Sequence, residues 1–371
     1  MKPAGLAAVI LCAGSLLAQE EGIPEPGLRE TAGIPTPVDR GDTAASRVVF
    51  PLAYYSPETG LAGMLAAGLY RRFPNRERPS SMEGQGVYTQ KNQYILALHG
   101  EHYLPGRRGF VSVGASFLEF PDLFYGIGRM ASDEEGEKYS AHSVNFDVDA
   151  HRPIWSHLRA GGIFEWHRHV VSRKETGGLL DQGGIKGSGT TLAWGIGPQI
   201  LWDSRDNTFY PTTGAYGKAS MTYYPRWLGG TYAFGGWQME GRRYLPLGKR
   251  MVFALRGKAQ EMRGDIPFPI MPTLGGDLLR GYYQGRYRDR HLACAEAEWR
   301  YKIWRAVGAT VFSGLGSVGA SWQDLSDAPL RYAYGVGLRI RLNPQGMNLR
   351  VDQAFPRTGD AATYIQFSEA F

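Results

Sequence analysis

A strict alternation of apolar and polar residues limits this fold more than any other feature. In RYAYGVGLRIRL, residues 331–342, every even-numbered residue is apolar, and the others are arginine, alanine or glycine. A helix would scatter these residues around its axis, whereas a strand separates them onto two faces. The same period recurs in residues 347–355 and in 292–302, where Glu296, Glu298 and Arg300 share one face. The chain is therefore predicted to consist of strands.

This pattern favours a membrane barrel over a soluble sandwich. Barrel strands need apolar residues only at every second position, so the lack of a run of ~18 apolar residues after the N-terminus is no obstacle. Aromatic residues cluster at strand ends, as in AYYSP and MTYYP, which suits interfacial girdles. Short connections such as LPLGKR alternate with long ones such as SRKETGGLLDQGGIKG. We predict an all-β fold: a transmembrane antiparallel β-barrel of about 16 strands.

The chain divides into three predicted parts. Residues 1–18 have a lysine followed by a short apolar run and a small residue, which is typical of a signal peptide. Residues 19–46 are rich in proline, glycine and threonine and are predicted to be flexible. Residues 47–371 form the predicted outer-membrane barrel, with its fifth strand at 108–120 and its last at 362–371. The net charge of +6 is spread along the chain, so no nucleic-acid partner is expected.

Two motifs contain residues of the kinds found in reactive or metal sites. Glu165, His167 and His169 in EWHRH share one strand face and could bind a metal, but a polar lumen wall is the favoured interpretation. Asp203 and Asp206 in DSRDN could act in acid–base chemistry, but such residues before proline and glycine usually bond their own backbone in a turn.

Two further readings point away from an enzyme. GGDLLRGYYQG, residues 275–285, could cradle a phosphate only if a helix followed, and the following residues are strand-like. His142 and Ser143 carry no nucleophile signature. We predict no catalytic residue, cofactor or metal.

Several stretches, taken in order, resemble the bacterial surface antigen family, the barrel of the outer-membrane assembly and two-partner secretion superfamily (BamA/TamA type). They include FPLAYYSPETGLAG (50–63), WDSRDNTFYPTTGAY (202–216), LGGDLLRGYYQGRYRD (274–289), YGVGLRIRLNPQGMNLRVDQAF (334–355) and the final IQFSEAF. The resemblance covers nearly all of the chain after residue 47, and DSRDN and LLRGY are its most specific parts. It implies that the loop carrying LLRGY folds into the barrel lumen.

The resemblance also implies structural roles for individual residues. Arg280, with Gly281 and Tyr282, is expected to form a lumenal lock with Glu298, or failing that with Glu296. The family often places a further acid in the next strand, where this chain has Gly314. Six residues are expected to form a periplasmic turn motif: Asp203, Arg205, Asp206, Asn207, Pro211 and Gly214. Three more, Ile365, Phe367 and Phe371, are expected to share a face as a C-terminal assembly signal, which Glu369 interrupts.

The function implied is insertion or export of proteins or lipids at the bacterial outer membrane. A weak seam between the first strand (47–56) and the last would open and template a client strand. We expect no POTRA domain like those of full-length relatives in residues 1–371, and we therefore expect a separate periplasmic partner, besides outer-membrane lipids and the machinery that inserts the barrel itself. A passive channel or structural barrel is the alternative, and a lumenal lipid hydrolase is a third possibility.

Overall fold

The protein is a single antiparallel sheet closed into a barrel. The computed structural model describes residues 46–71, 73, 80–105, 109–128, 131, 136–207, 210–342, 348–367 and 369–371. The predicted signal peptide and nearly all of the segment 19–46 lie outside these residues.

Sixteen strands form the wall and two short ones lie in a loop. They are β1 Ser46–Ser56, β2 Gly60–Arg71, β3 Ser80–Thr89, β4 Tyr94–Tyr103, β5 Phe110–Phe124, β6 Glu137–Pro153, β7 Leu158–Lys174, β8 Thr190–Asp203, β9 Gly214–Tyr224, β10 Phe234–Pro246, β11 Met251–Gly264, β12 Thr273–Leu274, β13 Tyr287–Arg288, β14 His291–Trp304, β15 Val307–Gly319, β16 Arg331–Arg341, β17 Asn348–Pro356 and β18 Ala362–Phe367. Each wall strand pairs with its neighbours in chain order, β11 pairs with β14, and β18 returns to β1.

The alternation of the sequence becomes the two faces of this wall. In β2 buried and exposed residues alternate without a break, and Leu61, Leu65 and Leu69 point outward. In β14 the charged residues Glu296 and Glu298 point inward. The predicted barrel of about 16 strands is confirmed. Its fifth strand is longer than predicted and runs to Phe124.

The connections differ at the two ends of the barrel. At the long-loop end they include residues 125–136, 175–189, 265–290 and 320–330, the last containing a short helix, α1 Trp322–Asp327, that was not predicted. At the short-turn end they include residues 154–157 and 305–306. No helix in the described ranges is long and apolar enough to cross a membrane.

The loop of residues 265–290 lies inside the lumen, as expected. Its two strands, β12 and β13, pair with each other, and most of its side chains are buried. Leu274, Leu278, Leu279 and Tyr282 pack with inward-facing residues of β14 and β16. The loop therefore fills lumen space beside the last strands of the barrel.

The barrel closes at a very short seam. In the described residues, β1 pairs with β18 at one position, Tyr55 with Ile365, whereas β1 pairs with β2 from Ser46 to Ser56. The last strand ends at Phe367, so the prediction of a strand over 362–371 is wrong at its end. Residues 369–371 lie inside the lumen, where Phe371 packs against Tyr244 and Ala254.

Glu369 gives a physical reason for this early end. Continuing the strand beyond Ile365 with its alternating faces would place the Glu369 side chain on the same outer face as Ile365, where lipid is expected. An unpaired carboxylate in lipid is costly. Inside the lumen, Glu369 instead accepts hydrogen bonds from Arg339 Nε at 2.7 Å and Asn348 Nδ2 at 2.8 Å.

This fold predicts how the purified protein behaves. Because its outer face is apolar and its ladder is closed, the protein should require detergent, and unheated samples should migrate differently from boiled ones in gel electrophoresis. A monomer that stays soluble after detergent removal would contradict the membrane barrel.

Candidate functional site: the lumenal arginine network and the seam

Arg280 is buried at the centre of a cluster of carboxylates. Its Nη2 lies 2.5 Å from Glu298 Oε1, and its Nη1 lies 2.7 Å from Asp352 Oδ2. Glu296 Oε1 is 3.9 Å from Arg280 Nε, which makes it the more distant partner. The guanidinium also lies 3.7 Å from the centre of the Phe312 ring, a cation–π contact. Two carboxylates and one aromatic face thus surround the charge.

These contacts continue into a wider network of described residues. Six arginines (Arg242, Arg256, Arg280, Arg300, Arg339 and Arg350) form ion pairs with six carboxylates (Glu240, Asp277, Glu296, Glu298, Asp352 and Glu369). Their formal charges balance. Buried charges are tolerated when each has an oppositely charged partner. Burial raises the pKa of Asp277 in the loop, although Arg350 lies 3.3 Å away.

Strand β15 contributes no charge to this network. Its Phe312 supplies the ring below Arg280, and Gly314 faces the loop. A Cβ atom at Gly314 would lie 2.9 Å from Leu279 Cδ1 and 3.1 Å from Glu296 Cγ, so the missing side chain makes room for the loop. The second acid that pairs with Arg280 is therefore Asp352 of β17. This pairing requires no acid at position 314.

The residues after Arg280 hold the loop tip to the last strands. Gly281 has φ of +110°, a conformation that glycine adopts without strain, and its N–H donates to the Tyr364 hydroxyl at 3.0 Å. The Tyr282 hydroxyl donates to the Tyr332 carbonyl and accepts from the Arg357 N–H, each at 3.1 Å. Arg280, Gly281 and Tyr282 thus all contact the same side of the lumen.

The free edge of β1 lies beside this site. The Leu61 N–H donates to the Gln90 side-chain oxygen at 3.1 Å, and the Leu61 C=O accepts from the Gln90 N–H at 2.7 Å, so both groups point toward the β3 side, where Gln90 follows the strand. Tyr55, the cross-strand partner of Leu61, is therefore not bonded to it, and the main-chain groups of Tyr55 face the seam. By the two-residue period, those of Pro51 also face the seam. Proline has no N–H, so one donor is missing from an edge that has no ladder partner from 46 to 54 among the described residues.

The expected assembly-signal residues do not share one face. Ile365 lies in the seam, and Phe367 packs with Leu52 and Tyr54 of β1. Phe371 lies in the lumen, where its main-chain oxygen accepts a hydrogen bond from Arg300 Nη2 at 2.8 Å. The expectation of a shared face is wrong because the chain turns inward after Phe367.

The DSRDN residues form a compact turn at the short-turn end. Arg205 donates to both carboxylate oxygens of Asp203 at 3.0 Å. Asp206 accepts from the N–H groups of residues 212 and 213, and Asn207 from that of residue 210. Burial opposes ionisation of Asp206, but these hydrogen bonds and one from the Thr212 hydroxyl outweigh it and lower the Asp206 pKa.

The remaining residues of this motif complete the same turn. Gly214 has φ of +98°, and a Cβ there would lie 2.2 Å from the Ser204 carbonyl oxygen. Pro211 is buried.

The EWHRH residues belong to a polar part of the lumen wall. Glu165 accepts a hydrogen bond from Tyr224, and His167 Nδ1 lies 3.0 Å from Asn145 Oδ1. No group of three or more potential metal ligands occurs in the described part of the chain.

His169 instead contacts Ser143 beside a cavity of about 120 Å³. Its Nδ1 lies 2.7 Å from Ser143 Oγ. Within the described residues, His169 Nε2 has no hydrogen-bond partner, so no carboxylate orients the ring as a general base would require. This pair therefore does not support a hydrolase.

Sequence reasoning did not assign four carboxylates to the network: Glu240, Asp277, Asp352 and Glu369. Asp352 lies on the polar, inward face that the two-residue period of MNLRVDQAF predicts, but the period does not show that it meets Arg280. Glu369 was noted only as an interruption, because a strand was expected to continue through it. Its contacts depend on a change of direction that periodicity cannot reveal.

Removing Arg280 should destabilise the barrel. We expect Arg280→Ala to lower the free energy of unfolding in detergent by about 3–5 kcal/mol, because it leaves two buried carboxylates without their shared cation. Adding Glu298→Ala should cost much less than it does alone. Arg263→Ala is the control, since that side chain is 80% exposed. Additive losses would show that Arg280 and Glu298 act independently.

An acid at position 314 should be unfavourable in this chain. Gly314→Ala should cost about 1 kcal/mol because Leu279 must shift, and Gly314→Asp more, because the network among the described residues has no spare cation. Gly63→Ala is the control, since a Cβ there meets nothing within 4 Å. Thermal unfolding in detergent measures all three. A Gly314→Asp variant as stable as the wild type would disprove the charge balance.

Comparison with known proteins agrees with this architecture. The barrel is similar to that in the crystal structure of BamA from Haemophilus ducreyi lacking POTRA domains 1–3, with a TM-score of 0.61, 13% identity, and coverage of 88% of this chain and 70% of that one. It is also similar to CdiB from Acinetobacter baumannii (TM-score 0.56, 11% identity, coverage 88% and 60%) and CdiB from Escherichia coli (0.58, 11%, 86% and 62%). This chain thus spans less than two thirds of either CdiB chain.

Comparison at the level of sequence identifies the family of this chain. Among curated proteins, no sequence matches this chain significantly. The family model described as the Omp85 superfamily domain matches residues 87–368, which is more than half of the chain. The protein therefore belongs to the Omp85 superfamily.

Proposed function

We propose that this protein is an integral outer-membrane barrel that inserts or exports other polypeptides, using the free edge of β1 as its working surface. The observation that carries the proposal is the seam. From residue 46 to 54 the edge has no ladder partner among the described residues, and the tail that could have covered it lies in the lumen. Unpaired strand edges bind extended peptides by adding a strand.

The resemblance to BamA and CdiB supports this direction. In the proposed orientation, the short-turn end faces the periplasm and the long-loop end faces outward. The free part of β1 then lies toward the periplasm, where a client segment would arrive. A separate periplasmic protein, such as one carrying POTRA domains, would deliver the client.

The lumen contacts argue against a passive channel as the main role. The arginine network and the loop 265–290 occupy the lumen beside β10–β18, and the tail adds Phe371 to the same side. A passive channel also has no need of a seam that, in the described residues, is closed by one ladder pair. If planar-bilayer recordings showed a large steady conductance that deletion of residues 264–288 left unchanged, the channel would be favoured.

A disulfide across the seam tests the proposal. Tyr55→Cys with Ile365→Cys joins β1 to β18, while Tyr55→Cys with Leu61→Cys joins β1 to β2 and leaves the seam free. Both pairs are placed in a Cys294→Ala background. In a deletion strain of the source organism, the control pair should restore the outer-membrane protein profile. The seam pair should restore it only after reduction.

The outcome separates the two functions. A seam pair that restores the profile while its disulfide is fully formed would contradict an opening seam. Quantitative proteomics of isolated outer membranes gives the measurement, and gel migration without reductant reports the disulfide.

A further inference from the structure

The loop tip contacts both sides of the seam with four consecutive residues. Gly281 and Tyr282 bond Tyr364 of β18, the Tyr332 carbonyl of β16 and the Arg357 N–H after β17. The next two residues bond the opposite side. The Tyr283 hydroxyl donates to Asp122 Oδ1 of β5 at 2.9 Å, and the Gln284 N–H donates to Glu58 Oε1 at 3.1 Å, in the turn between β1 and β2.

These contacts lie directly behind the one described pair of the seam. Tyr364 precedes Ile365, and Glu58 follows β1 by two residues, so both flank the pair of Tyr55 with Ile365. Tyr364 is 1% exposed and Glu58 8% exposed, so their hydrogen bonds are shielded from water. The β1–β18 ladder has one described pair, and hydrogen bonds from the loop of residues 265–290 therefore add to it from the lumen side.

We infer that residues 281–284 form a latch that holds the two edges of the seam together from inside. The latch goes beyond the proposed function, because it states what keeps the seam shut and needs no client protein to be tested. If the seam opens, the contacts of at least one side must break.

The two sides of the latch are unequal, which indicates where it releases. On the last-strand side, Arg280 anchors the tip through buried ion pairs to Glu298 of β14 and Asp352 of β17. On the first-strand side, the tip has one hydrogen bond to Glu58 and one to Asp122. The centre of the Tyr283 ring lies 5.6 Å from Lys91 Nζ and 5.9 Å from the centre of the Tyr125 ring, and among the described residues these tip contacts include no ion pair. Breaking the buried ion pairs costs more. The tip therefore stays with β14–β18 and separates from the β1 side.

Hydrogen–deuterium exchange of the whole protein in detergent tests the latch. Tyr364→Phe removes the hydroxyl that accepts the Gly281 N–H, and amide exchange in β1 and β18 should become about fivefold faster. The matched control is Tyr232→Phe, which removes a hydroxyl that accepts the Gly187 N–H at 3.1 Å, far from the seam in the fold. It should leave exchange in β1 and β18 unchanged.

A second pair of variants tests the other side of the latch. Glu58→Ala should speed exchange in β1 and β18 by a similar factor, whereas Glu58→Gln keeps an oxygen that accepts the Gln284 N–H and should match the wild type. Adding the Tyr55→Cys and Ile365→Cys disulfide should abolish the increase in Tyr364→Phe and Glu58→Ala. The latch is disproved if seam exchange is unchanged in both variants, or if it rises equally in the 251–264 strand and persists with the disulfide.

Discussion

A guanidinium group buried in a protein needs partners that compensate its charge, and much of this lumen follows from that requirement at Arg280, whose partners are carboxylates. The loop that carries Arg280 must enter the barrel far enough to reach Glu298 and Asp352, which stand on different strands. Those acids also bind Arg300 and Arg339, so the pairing extends until the charges balance. Because removing any one member leaves a buried charge uncompensated, the network resists local change.

The network and the seam divide the barrel into a firm half and a weak junction. From β10 to β17, the wall is tied across the lumen by ion pairs and by the buried loop. At the junction of β18 with β1, one described ladder pair remains, and hydrogen bonds from the loop tip add to it. A barrel built in this way can open at one place without losing its shape elsewhere, because the strongest contacts do not cross that place.

Much of the fold could be predicted because the residues of a membrane barrel strand alternate between the lipid-facing and lumen-facing sides, which gives the sequence a period of two. That period located sixteen strands and placed Glu296 and Glu298 on the inner face. The position of the Arg280 loop came from a resemblance, since no local pattern distinguishes an infolded loop from an external one. Asp352 was missed because a strand residue's inward direction does not say which loop residue it meets. The inward turn after Phe367 was missed because it depends on contacts of Glu369 across three strands.

The proline in the free edge of β1 has a consequence for turnover. A strand that docks beside Pro51 finds no donor at that rung and forms one hydrogen bond fewer, a difference of about 1 kcal/mol. In the proposed role, an edge that formed every hydrogen bond with a client strand would release that strand slowly. The edge would then stay occupied after one cycle. An edge that lacks one donor binds the client strand more weakly, and the client therefore dissociates faster.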